Sequence, residues 1–290
     1  MQNKLNFVFF GTPDVASETL EILKQAGFLP SLIATSPDKP QGRKMLMTPT
    51  PVKIWAIENN IPYIQPEKLD EEFSRKLQDI NHKLSIVVAY GKIMPKKLIS
   101  MPELGSINIH YSLLPKYRGA SPVESAILNG DTETGVSIQQ IEYKIDSGAI
   151  IAQEKVNILA DEKAPDLRKR LIKIGGELLI KTLLNFTEGK IKLTPQKGSL
   201  TSVCKKIKKE DGLIDLKADA VKNYNKFRAY ALWPRTFFFQ NNKRIIITDA
   251  ILENNPFDET QGKQFVIKKV LPEGKKEIKY EDFLKTNILK

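Results

Sequence analysis

The 290-residue sequence is short of several residue types and patterns, and each shortage excludes a class of protein. Its single cysteine, Cys204, excludes an intrachain disulfide and a cysteine-rich metal site. The longest strongly apolar run, Leu84–Gly91, is far shorter than the roughly 20 residues of a membrane-spanning helix. A strand-like pattern from Leu5 onward leaves no room for a targeting peptide. With 41% hydrophobic and 27% charged residues, the chain is predicted to be a soluble, cytoplasmic, globular protein.

Acidic residues are also in short supply. The chain has 45 lysines and arginines against 34 aspartates and glutamates, a net charge of +11. Residues 201–290 hold 19 basic and 12 acidic residues, so the excess is concentrated in the last third. A basic module favours a polyanionic partner because binding releases counterions. Plain solubility explains the charge as well, and charge alone leaves both interpretations open.

Strand and helix patterns alternate through the first half of the chain. Strand-like runs at 5–10, 32–35, 84–90 and 105–110 are interspersed with helical patterns. The run 84–90 is continuously apolar, which is typical of a strand buried on both faces of a parallel sheet. We expect Thr12 to cap the first helix. The alternation predicts an α/β fold with a doubly wound, Rossmann-like, mostly parallel sheet, whose active site lies at the carboxyl ends of the strands.

The remainder of the chain predicts a second, smaller domain. A long helical pattern over 164–186 ends the first domain, which we place at 1–189. Residues 190–204 have no periodic pattern and are assigned as a linker. Short strand patterns separated by turns then predict a small, mostly β domain at 205–290. Within it, we expect Trp233 to pack in the interior.

The residues after the first strand do not form a dinucleotide-binding motif. Gly11 follows the first strand, but the stretch Gly11-Thr12-Pro13-Asp14-Val15-Ala16 lacks the second and third glycines that let the backbone approach a pyrophosphate. An ordinary strand-to-helix turn explains these residues. We therefore expect neither nicotinamide nor flavin to bind here.

Residues 37–53 form a long irregular connection with four prolines and four basic residues, among them Arg43 and Lys44. Loops of this length inside an α/β unit are unusual and are often functional. A basic loop at the carboxyl end of a strand can reach over phosphates. A solvated surface loop fits the same composition, and both interpretations remain open at this point.

Asn108 and His110 form the most informative pattern. In the strand-like stretch 107–110, alternate residues face the same side, so these two polar side chains project together. A carboxamide N–H can stabilise a developing oxyanion, and an imidazole can donate to it or move protons, which suits acyl transfer. A hydrogen-bonded structural histidine is an equally good explanation of His110. The other histidine, His82, lies in a hydrophilic segment and is expected to be exposed.

Asp146 lies in the turn Asp146-Ser147-Gly148, ahead of another apolar run, from which it can approach the face carrying His110. A carboxylate beside an imidazole orients the ring and favours its charged form. The alternative is a turn residue with no catalytic part.

These residues resemble those of the folate-dependent formyltransferases, and the similarity extends over nearly the whole chain. The matching segments are Phe10-Gly11-Thr12-Pro13, 37–53, Val88-Ala89-Tyr90-Gly91, 108–122, 130–136, Asp146-Ser147-Gly148 and Trp233-Pro234. The most specific feature is the spacing of Asn108, His110, the run Ser112-Leu113-Leu114-Pro115, and Asp146.

The resemblance implies transfer of the formyl group of 10-formyltetrahydrofolate to the amino group of methionyl-initiator tRNA. The amine is itself the nucleophile, so no covalent enzyme intermediate and no metal are needed. Asn108 would hold the oxyanion, His110 would polarise the formyl oxygen and pass protons, and Asp146 would orient and charge His110. A chain of this kind is expected to act as a monomer.

The resemblance also implies the binding residues. Ser112, Leu113, Leu114 and Pro115 match the family's folate-binding segment, in which the two leucines would offer apolar surface to the pterin. Arg43 and Lys44 match a loop that enters the tRNA acceptor region, and 205–290 matches an OB-like tRNA-binding barrel. Tyr111 departs from the family, which usually has a small residue there. It would be strained if that position required a positive φ.

Two other functions share part of the pattern. A formyltransferase acting on a nucleotide sugar or a purine precursor would keep Asn108, His110 and Asp146, but it would need neither the 37–53 loop nor a basic second domain. A non-catalytic RNA-binding protein on a retired enzyme scaffold would have no use for the intact Asn–His–Asp set.

Overall fold

A computed structural model describes residues 5–42, 44–254 and 262–288. It divides into two compact units, neither of which is continuous in sequence. The first comprises 1–118, 135–156 and 169–203, and the second comprises 119–134, 157–168 and 204–290. The sequence-based boundaries at 189 and 204 remain a prediction.

Strands and helices alternate through the first half of the chain. The strands are β1 (Phe7–Gly11), β2 (Leu32–Ala34), β3 (Lys39–Gln41), β4 (Leu46–Thr48), β5 (Tyr63–Ile64), β6 (Leu84–Val88), β7 (Ser106–His110), β8 (Arg118–Gly119), β9 (Glu133–Gln140), β10 (Ile150–Asn157), β11 (Val203–Cys204), β12 (Phe237–Gln240), β13 (Lys243–Asn254), β14 (Lys263–Pro272) and β15 (Ile278–Lys279). The helices are α1 (Asp14–Gln25), α2 (Pro51–Glu58), α3 (Glu71–Ile80), α4 (Lys96–Ile99), α5 (Pro122–Leu128), α6 (Ala164–Thr187), α7 (Ala220–Ala229) and α8 (Tyr280–Ile288).

A seven-stranded sheet of order β10-β9-β7-β6-β1-β2-β5 organises the first unit. The five strands from β7 to β5 are parallel, and β9 joins β7 antiparallel. Every residue of β1 and β6 is buried, which explains why both strands are apolar except for Ser85 of β6. The predicted α/β class with a Rossmann-like, mostly parallel sheet is confirmed.

The carboxyl ends of β1, β2 and β6 are tied together by Thr12. This residue was expected to cap α1, but the N-cap position is Pro13 and no side chain caps the helix. The Thr12 hydroxyl instead donates to the Tyr90 carbonyl oxygen at 3.1 Å and lies 3.1 Å from the Ser36 hydroxyl. The expectation was wrong because these tertiary partners compete with the local cap.

His82 is buried, contrary to the expectation from its hydrophilic segment. It is 5% exposed, and its Nε2 lies 3.0 Å from the Ser85 hydroxyl at the start of β6. Burial lowers the pKa of its imidazole. The average polarity of a segment does not predict the burial of a single side chain, which here turns toward the strand that follows it in the chain.

The second unit contains a four-stranded antiparallel sheet of order β12-β13-β14-β15. Helices α7 and α8 contribute Tyr224, Phe227 and Phe283 to a core shared with Ile245 and Val270 of the sheet. The predicted small β domain is therefore confirmed as an antiparallel β structure. Among the described residues, no helix is long and apolar enough to cross a membrane.

Candidate active site

Strand β7 carries Asn108 and His110 to the carboxyl edge of the sheet in the first unit. Asn108 lies opposite Val87 of β6 and Gln139 of β9, and His110 lies opposite Ser137 of β9. His110 is 5% exposed, whereas Asn108 is half-buried. The Asn108 carboxamide makes no hydrogen bond to any other described residue. Its two N–H donors are therefore available to a bound substrate.

Asp146 approaches His110 from the turn between β9 and β10. Its Oδ2 lies 3.6 Å from His110 Nδ1, an ion-pair distance at which a proton on Nδ1 faces a carboxylate oxygen. On the other side of the ring, Nε2 lies 2.8 Å from the Tyr117 carbonyl oxygen. A carbonyl can only accept, so this contact requires a proton on Nε2.

Both ring nitrogens of His110 thus face protein oxygens, which fixes the plane of the imidazole. A substrate oxygen that is to accept from Nε2 must replace the Tyr117 carbonyl. The contact of Nδ1 with Asp146 lies on the other side of the ring and does not have to be broken for this replacement.

The turn that carries Asp146 has a backbone that depends on glycine. Asp146 itself has φ of +51°, and the Gln140 N–H donates to the Ala149 carbonyl oxygen at 2.9 Å to close the turn. A Cβ added to Gly148 would lie 1.9 Å from the Gln140 carbonyl oxygen, so a side chain there would displace the backbone. The Asp-Ser-Gly motif is therefore explained by the geometry of this turn as well as by the position of its carboxylate.

Two glutamines hold the turn in place. The Gln139 Nε2, on a side chain only 2% exposed, donates to Asp146 Oδ1 at 2.8 Å. The Gln196 Nε2 lies 3.0 Å from the Asp146 carbonyl oxygen, 2.8 Å from that of Gly148 and 3.2 Å from Gln139 Oε1. Arg118 in turn donates to Gln196 Oε1 from Nε at 3.0 Å and from a terminal nitrogen at 2.6 Å. The position of the carboxylate is thus set by a continuous chain of hydrogen bonds.

Sequence reasoning missed Arg118, Gln139 and Gln196. The signal for Gln139 was available in principle, because it is the polar residue opposite Asn108 in the β7–β9 ladder. The pairing of those two strands was not predicted. Gln196 gave no signal at all, because it lies in the aperiodic stretch assigned as a linker.

The predicted folate segment Ser112–Pro115 follows β7 directly and is pinned to β9 and β10. The Leu114 N–H donates to the Ser137 hydroxyl at 3.1 Å, and that hydroxyl donates to the Ser112 carbonyl oxygen at 2.6 Å. The Gln153 Nε2 donates to the Leu114 carbonyl oxygen at 2.9 Å. Leu114 is 3% exposed, while Leu113 and Pro115 are half-buried. Any apolar surface offered by this segment therefore comes mainly from Leu113 and Pro115.

Tyr111 is accommodated without the strain that a positive φ would impose. It is not among the residues with positive φ, and its ring lies against Gly175 of α6. The larger side chain fits because this face of the helix has no side chain to oppose it.

The 37–53 connection is more regular than its sequence suggests. Strands β3 and β4 pair antiparallel within it, and Thr50 caps α2. Arg43 lies outside the described residues, while Lys44 is exposed near the tip of the hairpin. At its base, Lys53 binds Asp38 at 2.5 Å, which lowers the pKa of the Asp38 carboxyl. The hairpin is thus anchored at its base with its tip in solvent.

Comparison with known proteins agrees with this geometry. Residues 4–183 match the family model described as formyl transferase, and 206–287 match that of the formyl transferase C-terminal domain. Among solved structures, an N-formyltransferase from Helicobacter canadensis, complexed with folinic acid and dTDP-3-aminofucose, superposes with a TM-score of 0.67. It is 21% identical and aligns over 91% of this chain and 98% of its own. At that identity the likeness shows the fold.

The chain belongs to the formyl transferase family. Its curated relatives include methionyl-tRNA formyltransferases from Thermodesulfovibrio yellowstonii, 37% identical over 96% of this chain and 94% of the relative, and from Thermotoga maritima, 39% identical over 88% and 82%. A third, from Caldicellulosiruptor saccharolyticus, is 39% identical over 84% and 78%.

Proposed function

We propose that the chain transfers the formyl group of 10-formyltetrahydrofolate to the α-amino group of methionyl-initiator tRNA, as a methionyl-tRNA formyltransferase. Family membership supports formyl transfer, and the names of the relatives support this acceptor. One structural observation carries the chemistry. Asp146 lies 3.6 Å from His110 on the sheet edge where the Asn108 carboxamide makes no hydrogen bond within the described part of the chain.

The proposed reaction requires that these residues stabilise the negative charge on the formyl oxygen and transfer protons. The amine of the methionyl ester attacks the formyl carbon, a carbon–nitrogen bond forms, and the formyl oxygen takes up negative charge. Asn108 donates to that oxygen, since a fixed amide N–H costs no reorganisation when charge develops. The bond to the folate nitrogen N10 then breaks, and N10 leaves with a proton while the attacking amine loses one.

His110 and Asp146 manage the protons. The ring receives a proton from the amine or delivers one to the departing nitrogen, and Asp146 keeps the ring oriented and compensates its positive charge. The half-buried Leu113 and Pro115 offer surface to the pterin, while the backbone of Ser112 and Leu114 is held by Ser137 and Gln153. We assign folate binding to Ser112–Pro115 on this basis.

We assign binding of the tRNA, the formyl acceptor, to the basic surfaces of the chain. Lys44 is exposed at the hairpin of the 37–53 loop, and the excess positive charge of the chain is concentrated in residues 201–290. Both features favour a polyanion. We assign Arg43, Lys44 and the second unit to tRNA binding, and we expect a monomer acting in the cytoplasm.

The deciding experiment combines the purified chain with 10-formyltetrahydrofolate and one of three acceptors. The acceptors are methionyl-initiator tRNA, methionyl-elongator tRNA and a dTDP-linked amino sugar. We expect formylmethionine on the initiator tRNA only, with equimolar release of tetrahydrofolate. Formylation of the amino sugar without the tRNA would overturn the acceptor and leave the formyl transfer chemistry intact.

A further inference from the structure

The second unit has a cavity of about 240 Å³ that the formyl transfer chemistry does not use. The turn after α7 forms one wall, and the starts of α5 and α6 form others. Its lining includes Ser121, Glu124, Ala164, Arg168, Lys206 and Trp233.

Trp233 borders this cavity and is unusually exposed for a tryptophan. Its side chain is 53% exposed and that of its neighbour Leu232 is 70% exposed, contrary to the expectation that Trp233 packs in the interior. The expectation was wrong because Trp233 lies in the turn between α7 and β12 and stands at the rim of a cavity. Trp55 behaves as a buried tryptophan should, at 6% exposure with its indole N–H donating to Glu21 at 2.9 Å.

The charge around the cavity is positive. Glu124, the acidic residue of the lining, is paired with Arg168, so its carboxylate is compensated. Lys206 forms no ion pair with any residue that the structure describes. Lys205, Lys208 and Lys209 lie beside it in sequence and are also exposed. A ligand at this rim therefore meets a large aromatic face together with uncompensated cationic charge.

We propose that this cavity receives an unpaired nucleotide of the tRNA substrate, with its base on the Trp233 indole and a phosphate beside Lys206. The combination of aromatic platform and cationic rim is the one that single-stranded nucleic acid requires, since bases stack and phosphates pair with cations. The inference rests on the proposed function, because it takes its polyanion to be the acceptor tRNA.

The two tryptophans allow a direct binding test. Trp55→Phe leaves Trp233 as the sole indole, and Trp233→Phe leaves only the buried Trp55. In a titration with methionyl-initiator tRNA, we expect the emission of Trp55→Phe to be quenched and that of Trp233→Phe to be nearly unchanged. Equal responses from the two variants, or none from Trp55→Phe, would overturn the stacking contact.

Kinetics give a second measure. Trp233→Ala is expected to raise KM for the tRNA on the order of tenfold, the scale of one lost base stack, with kcat unchanged. Trp233→Phe should recover most of this loss because a phenyl ring still stacks. Phe239→Ala is the matched control, since Phe239 is also an exposed aromatic of this unit, at 58%, but does not line the cavity. Lys206→Ala should raise KM less and reduce its salt dependence.

The outcomes separate this proposal from the proposed function. If the wild-type chain formylates the tRNA but Trp233→Ala has the KM of wild type, the cavity proposal fails and the function stands. If the wild-type chain does not formylate it, the fluorescence titration still decides whether tRNA reaches Trp233. Emission that changes with protein concentration in the absence of RNA would instead assign the cavity to a second copy of the chain and overturn the proposal.

Discussion

The hydrogen-bonded cluster around His110 in the first unit and the cavity of the second unit present their key side chains in opposite ways. His110 and Gln139 are 5% and 2% exposed, and each has a hydrogen-bond partner. Trp233 is half in solvent beside lysines that are exposed. The difference follows from the tasks we assign to them. Stabilising a transition state requires groups fixed before the reaction, whereas holding a large polyanion requires accessible surface.

Removing the imidazole should produce the largest effect. His110→Ala is expected to lower kcat by roughly 10²- to 10⁴-fold because proton transfer is lost, while affinity for tRNA stays within about threefold. Single-turnover formylation and a filter-binding titration measure the two quantities. His82→Gln serves as the control, because it alters the other histidine, which contacts Ser85 and not the candidate site. Normal turnover by His110→Ala would remove His110 from the mechanism.

Disruption of the hydrogen bonds that hold the Asp146 turn should produce the second largest effect. Gln196→Met keeps the length of the side chain but cannot donate to the Asp146 and Gly148 carbonyls, so the turn loses its support. We expect kcat to fall about ten- to a hundredfold, the cost of a small misplacement of a catalytic group, with little change in KM.

Gln153→Met sharpens this test, because Gln153 supports the Leu114 carbonyl and not Asp146. It should raise KM for the folate more than it lowers kcat. If both glutamine variants had the same pattern, the separation between a catalytic turn and a folate-binding segment would be wrong.

Single exposed cations should have moderate effects. Arg43→Ala and Lys44→Ala are each expected to raise KM for tRNA severalfold and to reduce the slope of log affinity against log salt by about one, with folate binding unchanged. Lys76→Ala is the control, because Lys76 is exposed on α3 and pairs with Glu72. Equal loss of tRNA and folate binding would contradict a role for the loop in placing tRNA.

The smallest effect concerns stability. Burial lowers the pKa of His82 in the folded chain below its ordinary value of 6.5, so the unfolded chain binds the extra proton more readily. Its contribution is therefore complete above pH 6.5 and is lost as the pH falls below that value. Urea unfolding at pH 7.5 and 5.5 should show a loss of stability at the lower pH in wild type that His82→Gln lacks. An identical pH dependence in both proteins would contradict this assignment.

How far the sequence predicts each residue depends on the range of the interaction that places it. Asn108 and His110 share a face because a strand repeats every two residues, so four neighbouring residues were enough to predict it. The approach of Asp146 to His110 spans 36 residues and depends on β9 pairing antiparallel with β7, which no local pattern encodes. Gln196 lies even further along the chain from Asp146. It binds backbone carbonyl oxygens, which every residue has, so no sequence pattern identifies its partners.

Exposure was the least predictable property. His82 was expected to be exposed because its segment is hydrophilic, and Trp233 was expected to pack in the interior; both expectations were wrong. Whether one side chain is covered depends on the direction in which it turns, which the average polarity of its segment does not specify. The partner of His82 is Ser85 on a strand buried in the sheet, whereas Trp233 stands at the rim of a cavity.

The sequence by itself determined the α/β class, the strand that carries Asn108 and His110, the basic character of the last third and the family resemblance. The first three follow from periodicity and composition, which are local or summed properties of the chain, and the resemblance follows from the match of specific short motifs. The tertiary structure alone decided that Asp146 lies 3.6 Å from His110, that Gln139, Gln196 and Arg118 hold its turn, and that Trp233 borders an open cavity. Those outcomes depend on contacts between residues far apart in the chain, and such contacts form only when the strands have paired and the turns have closed.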